Sequence, residues 1–165
     1  MSKIVTVAVA APVLALSFAT SATASATANT VHWESFKFPG NCLSWERDVF
    51  GNARLSKLRE CATSNRLDES QWRGEKVDGN FWTYRPSKPT QGGWSNVCLT
   101  SYNTLVYLEP CQDGNWWQQW EEKWENGHWR IQHRGAGQVA GYYLDTNGER
   151  IYTERLNDGQ NQLWL

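Results

Sequence analysis

The chain has 165 residues, with 16 basic and 17 acidic side chains and a net charge of −1. That balance, with no basic run, argues against a nucleic-acid partner. The composition is unusual in its 11 tryptophans, all of them after residue 28. That is more indole than a small core buries, so some are expected at the surface.

Residues 1–28 read as a leader for export. Lys3 gives a positive start, Ile4 to Phe18 is apolar, and Ala24 and Ala26-Thr27-Ala28 supply small cleavage-site residues. The apolar stretch is short for a membrane span and no stop-transfer pattern follows, so no membrane insertion is expected. The remaining chain, 29–165, has the length of one domain. Losing Lys3 leaves 15 basic against 17 acidic side chains in it.

Val31 to Pro39 alternates loosely and reads as a first strand or as an N-terminal arm that docks to a partner. Beyond it the chain repeats. Cys42-Leu43-Ser44, Leu58-Arg59-Glu60-Cys61 and Ser70-Gln71-Trp72 form one unit. Cys98-Leu99-Thr100, Val106 to Cys111 and Gln118-Gln119-Trp120 form the second. Tyr143-Leu144-Asp145, Ile151 to Leu156 and Gln162-Leu163-Trp164 form the third. The units span about 31–75, 76–123 and 124–165.

Within a unit Val106 and Leu108, and Ile151 and Thr153, recur at the period of two that marks strands. Asp78-Gly79, Asn126-Gly127 and Asn147-Gly148 are hairpin-turn dipeptides. Pro86, Pro89 and Gly92-Gly93 mark an irregular connection. Ser56 to Glu60 has helical propensity, but its counterparts in the other units are strand-like, and the repeat outweighs local preference.

Four cysteines in an exported chain imply two disulfides with three pairings open. No C-x₂₋₄-C spacing is present, which argues against a zinc site, so no metal or other cofactor is expected. If Cys42 and Cys61 are strand neighbours in unit one, the register makes Cys98 and Cys111 neighbours in unit two. Tyr143 and Leu156 then replace the crosslink in unit three with a hydrophobic contact. Three small β units close most naturally about a pseudo-threefold axis, which leaves no free sheet edge.

These residues resemble the ricin B-chain-type lectin family, all-β proteins with a β-trefoil fold and a Cys-Leu-Asp … Cys … Gln-x-Trp signature in each unit. The likeness runs from about Trp33 to Leu165. It implies disulfides within units and a core held by Gln118, Trp120, Gln162 and Trp164; unit one departs, with Ser70 in the glutamine's place. It also implies shallow sugar pockets. Each uses an aspartate after Cys-Leu, an aromatic two residues before the second cysteine, and an asparagine three before the closing tryptophan.

Unit one has Ser44, Arg59 and Glu69 at those places, and unit two has Thr100, Glu109 and Trp117. Unit three keeps Asp145 and Asn161, beside Gln162, with Glu154 at the aromatic position. Asp145 and Asn161 match the acceptor and amide that sugar hydroxyls need, and Tyr152, two residues before Glu154 on the same strand face, offers a displaced apolar platform. Asp145 reads also as the cap of the turn at Thr146-Asn147-Gly148, and Asn161 as a loop-end backbone ligand.

Trp45, Phe50, Trp94, Trp116, Trp117 and Trp124 are the candidates for exposed aromatics. Of these Trp45, Trp94, Trp116 and Trp117 are taken as protein-contact residues. Strand neighbours face opposite ways, so the doublet Trp116-Trp117 cannot enter the core together. Catalysis has little support. His32, His128 and His133 have no nucleophile in a recognisable motif, and the carboxylates have no cleft to span. The expectation is a secreted carbohydrate-binding protein with degenerate sugar sites, partnered by a glycan or polysaccharide. The alternative is a non-catalytic adaptor bound to larger secreted subunits, such as those of an antibacterial toxin complex.

Overall fold

A computed structural model of the chain describes residues 29–61, 67–88, 96–135 and 142–165. The leader and Trp94 lie outside the described residues. Thirteen strands follow in order: β1 (Asn29–Val31), β2 (Asn41–Cys42), β3 (Trp45–Arg47), β4 (Ala53–Leu55), β5 (Arg59–Glu60), β6 (Trp72–Asp78), β7 (Phe81–Pro86), β8 (Val97–Tyr102), β9 (Leu105–Pro110), β10 (Trp120–Glu125), β11 (His128–His133), β12 (Tyr142–Thr146) and β13 (Ile151–Arg155). The β-branched and aromatic residues that fill them suit a pleated, half-buried surface. Ser56 to Glu60 ends in strand β5, as its repeat partners require.

Strand pairing closes a ring. β1 pairs with β6, β6 with β7, β7 with β10, and β10 with β11, all antiparallel. Trp164 completes the circuit by bridging Trp129 on β11 and Ser35 after β1. Next to it, Glu34 and Leu165 exchange two backbone hydrogen bonds of 3.2 and 2.9 Å. The segment Val31 to Pro39 is therefore a barrel wall and not a free arm, and Trp33 within it is buried against Trp72 and Tyr84. The β10–β11 turn has Asn126 at φ 51° and Gly127 at φ 83°, the paired left-handed conformations that tight hairpins favour and asparagine and glycine adopt readily.

Three hairpins cap this ring: β8–β9, β12–β13 and, in unit one, a pair of short ladders, β2–β5 and β3–β4. Each hairpin tip reaches the next unit. In unit three Lys57 of unit one meets Glu149 at 3.0 Å, and the tip of unit two packs on β13, where the Thr153 amide donates to Thr104 O at 3.0 Å. β4 of unit one lies against β9 of unit two.

The three closing tryptophans are fully buried and hold equivalent places. Trp72 Nε1 donates to Leu43 O at 3.0 Å, Trp120 Nε1 to Leu99 O at 2.8 Å, and Trp164 Nε1 to Leu144 O at 3.2 Å. An indole brings about 150–250 Å² of surface into the core, and its N–H has to find an acceptor there. Here the acceptor is the carbonyl of the Leu in each unit's opening tripeptide. One side chain thus ties the end of a unit to its beginning.

The disulfides join Cys42 to Cys61 and Cys98 to Cys111, within units as the register requires. Unit three does not copy them as expected. Tyr143 is buried, but Leu156 is 55% exposed, because nothing draws it onto Tyr143 as a covalent bond would. Trp45 is not the surface contact residue expected. It is a core residue, 1% exposed, and its Nε1 donates to Gln71 O at 3.1 Å, so it has no surface to offer a partner.

Candidate functional site

The position after Leu behaves differently in the three units. Ser44 Oγ donates to Cys42 O and Thr100 Oγ1 to Cys98 O, both at 3.0 Å, so each hydroxyl is satisfied by its own backbone. Asp145 on β12 cannot do this once ionised, because a carboxylate only accepts. It lies 1% exposed, and its Oδ1 has no hydrogen-bond partner among the described residues. Burial pushes the carboxyl above the usual carboxylate range, against the opposing influence of Tyr152, Gln162, Asn157 and the Thr146 amide.

Tyr152 is the direct register partner of Asp145 across β12 and β13, so both side chains leave the same face of the hairpin. Burial and the neighbouring carboxyl push the Tyr152 phenol up to about 12. The short 3₁₀ turn Gln160–Gln162 packs against β12 and brings in Asn161. Asn161 Oδ1 is a second buried acceptor without a partner among the described residues. All four expected sugar-site residues therefore lie on β12, β13 and the turn packed against β12, and two of them, Asp145 and Asn161, each have an acceptor oxygen without a partner among the described residues.

Gln162 is a different case. Its Nε2 donates to Arg155 O at 2.8 Å and Glu154 O at 3.3 Å, while its Oε1 accepts from Asn157 N and Arg130 Nη1, both at 3.2 Å. Gln118 does the same work in unit two, donating to Pro110 O and accepting from Gln112 N. Gln162 is thus a buried clamp whose hydrogen bonds are consumed by the fold. Glu154 at the aromatic position is exposed, and its carboxylate accepts the Arg155 amide.

In unit two the corresponding place is filled. Trp116 and Trp117 sit in a 3₁₀ turn (Trp116–Gln118), not in a strand, yet they still diverge. Trp117 packs inward on Tyr102 and His133, with ring centroids 5.2 and 5.7 Å away, and Gly135 leaves it room. A Cβ at Gly135 would stand 2.3 Å from the indole. Trp116 is the exposed member, at 47%, with Arg134 over its ring at 4.9 Å. The guanidinium also covers Phe81 at 4.6 Å and pairs with Asp78 at 3.1 Å.

Burial holds the His133 imidazole down at about 4. Both its ring nitrogens are without a partner among the described residues, and it lies among Trp117, Trp120 and Tyr142.

The sequence places Phe50 among the exposed aromatics, as found, but Asn157 and Arg130, which set the Gln162 clamp, and Val49, which makes an apolar tip with Phe50, were not apparent from it. That tip is almost wholly exposed on a loop tied by Asp48, whose Oδ1 accepts from the Phe50 and Asn52 amides at 2.9 Å each. Two apolar residues inside a turn-forming Asp-x-x-Gly-Asn run were the available signal.

No family model matches the chain, and no curated protein resembles it in sequence. Solved structures do resemble it. A lectin of Polyporus squamosus, solved with a Neu5Ac–Gal–GlcNAc epitope, matches with a TM-score of 0.63 at 13% identity. The match covers 84% of this chain and 48% of that one, so this chain spans about half the lectin's length. The cytolethal distending toxin of Haemophilus ducreyi gives 0.60 at 13% identity, over 82% of this chain and 81% of that one. ThreeFoil, a designed threefold-symmetric protein, gives 0.56 at 18%, over 83% and 94%.

The chain is a β-trefoil. Three hairpin caps on a six-membered ring, matched to a designed threefold protein along 94% of the latter's length, decide it. Among the described residues, unit three alone has unsatisfied acceptors at both places, after Leu and three before the closing tryptophan; in unit one Glu69 Oε2 at the second place also lacks a hydrogen bond, but it lies 3.6 Å from the Arg59 guanidinium, while Ser44 at the first place is satisfied.

Proposed function

We propose that this β-trefoil is a secreted, non-catalytic carbohydrate-binding protein acting through unit three. The observation that carries this reading is the pair of buried, unspent acceptors, Asp145 Oδ1 and Asn161 Oδ1. A buried acceptor without a donor costs about 1–3 kcal/mol, and a fold that keeps two of them on elements packed against one another has a ligand's donors to gain. Sugar hydroxyls are such donors. The 13% identity lectin neighbour shares the fold and is itself solved with a glycan.

The carboxyl is covered in this structure, so a hydroxyl reaches it only when a neighbour moves. Tyr152 is the mobile candidate: it is half-buried, stands directly across from Asp145, and has one aromatic rotor to turn. Rotated outward, its ring meets the C–H face of a sugar while the carboxylate takes the hydroxyls.

Asp145→Asn tests the assignment. Sugar binding measured on a glycan array is expected to fall at least tenfold. The melting temperature is expected to rise, by about 1 kcal/mol of stability, since the amide removes a buried charge and can donate. Undiminished binding by the Asn variant would remove Asp145 from the site.

One feature favours a second reading, the non-catalytic adaptor subunit. Val49 and Phe50 stand almost fully in solvent on a loop braced by Asp48, far from unit three in sequence and on a different hairpin. Rigid exposed apolar side chains are what a protein contact uses. Co-purification of a larger secreted protein that is lost on Phe50→Ser supports this reading.

A further inference from the structure

The unit-three site continues across the sheet into unit two. On β13, Tyr152 is the register partner not only of Asp145 on β12 but also of Leu105 on β9, and Leu105 is in turn paired with Tyr102 on β8. Directly paired residues of antiparallel strands leave the same face. Asp145, Tyr152, Leu105 and Tyr102 therefore form one row across four strands.

Exposure rises from 1% at Asp145 through a half-buried Tyr152 to 67% at Leu105, and Tyr102 beyond it is 51% exposed. At the outer end the Tyr102 ring is braced edge-on by Trp117, 5.2 Å away. The turn between Tyr102 and Leu105 is also fixed from unit three, where the Thr153 amide donates to Thr104 O at 3.0 Å and the Thr153 hydroxyl donates to Asn103 O at 3.2 Å. These bonds hold the tip of one hairpin on the flank of the next.

We infer that this row is an extended saccharide-binding platform, so that the ligand is an oligosaccharide or polysaccharide chain and not a single terminal sugar. The inference rests on the carbohydrate reading of unit three. Three interstrand steps span on the order of 14 Å at the usual spacing, longer than one pyranose ring covers. The chemistry is graded to match: acceptors at the buried end take the hydroxyls of one residue, and Tyr152, Leu105 and Tyr102 offer apolar surface to the C–H faces of those that follow. A solvent-exposed leucine fixed between two tyrosines contributes little to stability where it stands, and a stacked ligand gives it a role.

The experiment has two stages. Pull-down of the full mature protein with insoluble β-1,3-galactan, chitin and cellulose chooses the polymer, and the mono- to tetrasaccharides of that polymer are then titrated by calorimetry. Affinity is expected to rise about fivefold per residue up to the third and then level. Leu105→Asp is expected to erase that gain while leaving the monosaccharide affinity within about twofold, and Tyr102→Ala to erase its last step.

Equal affinity for mono- and trisaccharide, abolished by Asp145→Asn, overturns the platform and leaves the unit-three pocket standing. Retention on none of the polymers, with no monosaccharide bound, overturns the carbohydrate reading and the platform together. A circular dichroism spectrum and melting temperature matching the parent show that Leu105→Asp has not acted by unfolding; if that variant misfolds, Leu105→Ser carries the same test.

Discussion

Units two and three were built on one plan and spend it differently. Unit two is closed at every equivalent point. Cys98–Cys111 crosslinks it, Thr100 satisfies itself on Cys98 O, and Trp117 fills the place where unit three has Asn161. Unit three has no crosslink, a buried carboxylate and two unspent acceptors. Both retain the glutamine clamp and the indole-to-Leu hydrogen bond. The elements shared by both hold the barrel, whereas the elements that differ are those on which the proposed binding rests, at some cost in stability.

The comparison can be broken most forcefully at what the units share. Trp120→Ala and Trp164→Ala should each cost about 3–5 kcal/mol in denaturant unfolding, enough to unfold a marginal domain. A much smaller loss for Trp164 would mean that the barrel closure is not equivalent in the two units. Next comes the missing crosslink. Tyr143→Cys with Leu156→Cys copies the 13-residue separation of Cys98–Cys111. It should form a third disulfide, detected by loss of free thiol, and should raise stability by about 2–3 kcal/mol in the loop-closure estimate.

His133 gives the smallest and most specific effect. Its folded pKa of about 4 lies below the ordinary 6.5, so the unfolded chain takes up a proton that the folded one refuses. Stability attributable to it is therefore complete above about pH 6.5 and declines as the pH falls toward 4, by on the order of 2 kcal/mol. Asp145 works in the opposite sense, since its raised pKa makes protonation favour the folded state. A urea midpoint followed from pH 7 to 4.5 should fall in the parent and fall less in His133→Phe.

The fold was legible because it is written three times. Each closing tryptophan is a coincidence on its own, but Trp72, Trp120 and Trp164 in phase with two cysteine pairs are not, and the geometry at the three Leu carbonyls is what such phasing demands. The site was legible only in part. That Asp145, Tyr152 and Asn161 lie on adjoining elements could be read from their places in the repeat, because within-unit pairing preserves sequence spacing. Leu105 and Tyr102 could not, because they reach Tyr152 through the packing of one unit's hairpin tip on its neighbour, and no spacing within a repeat encodes a contact between repeats. The exposure of aromatics was equally opaque. Trp45 and Trp116 both read as surface candidates, yet Trp45 joins the core with its indole N–H on the Gln71 carbonyl, whereas Trp116 stays half-exposed on a 3₁₀ turn.

The seam between the two ends has a temporal consequence. Ser35 and Glu34 must wait for Trp164 and Leu165 before their stretch of wall is paired on both sides. A chain made from its N-terminus onward therefore cannot seal this seam until Trp164 and Leu165 have been made and released, and whatever handles it beforehand meets an open, unlatched polypeptide.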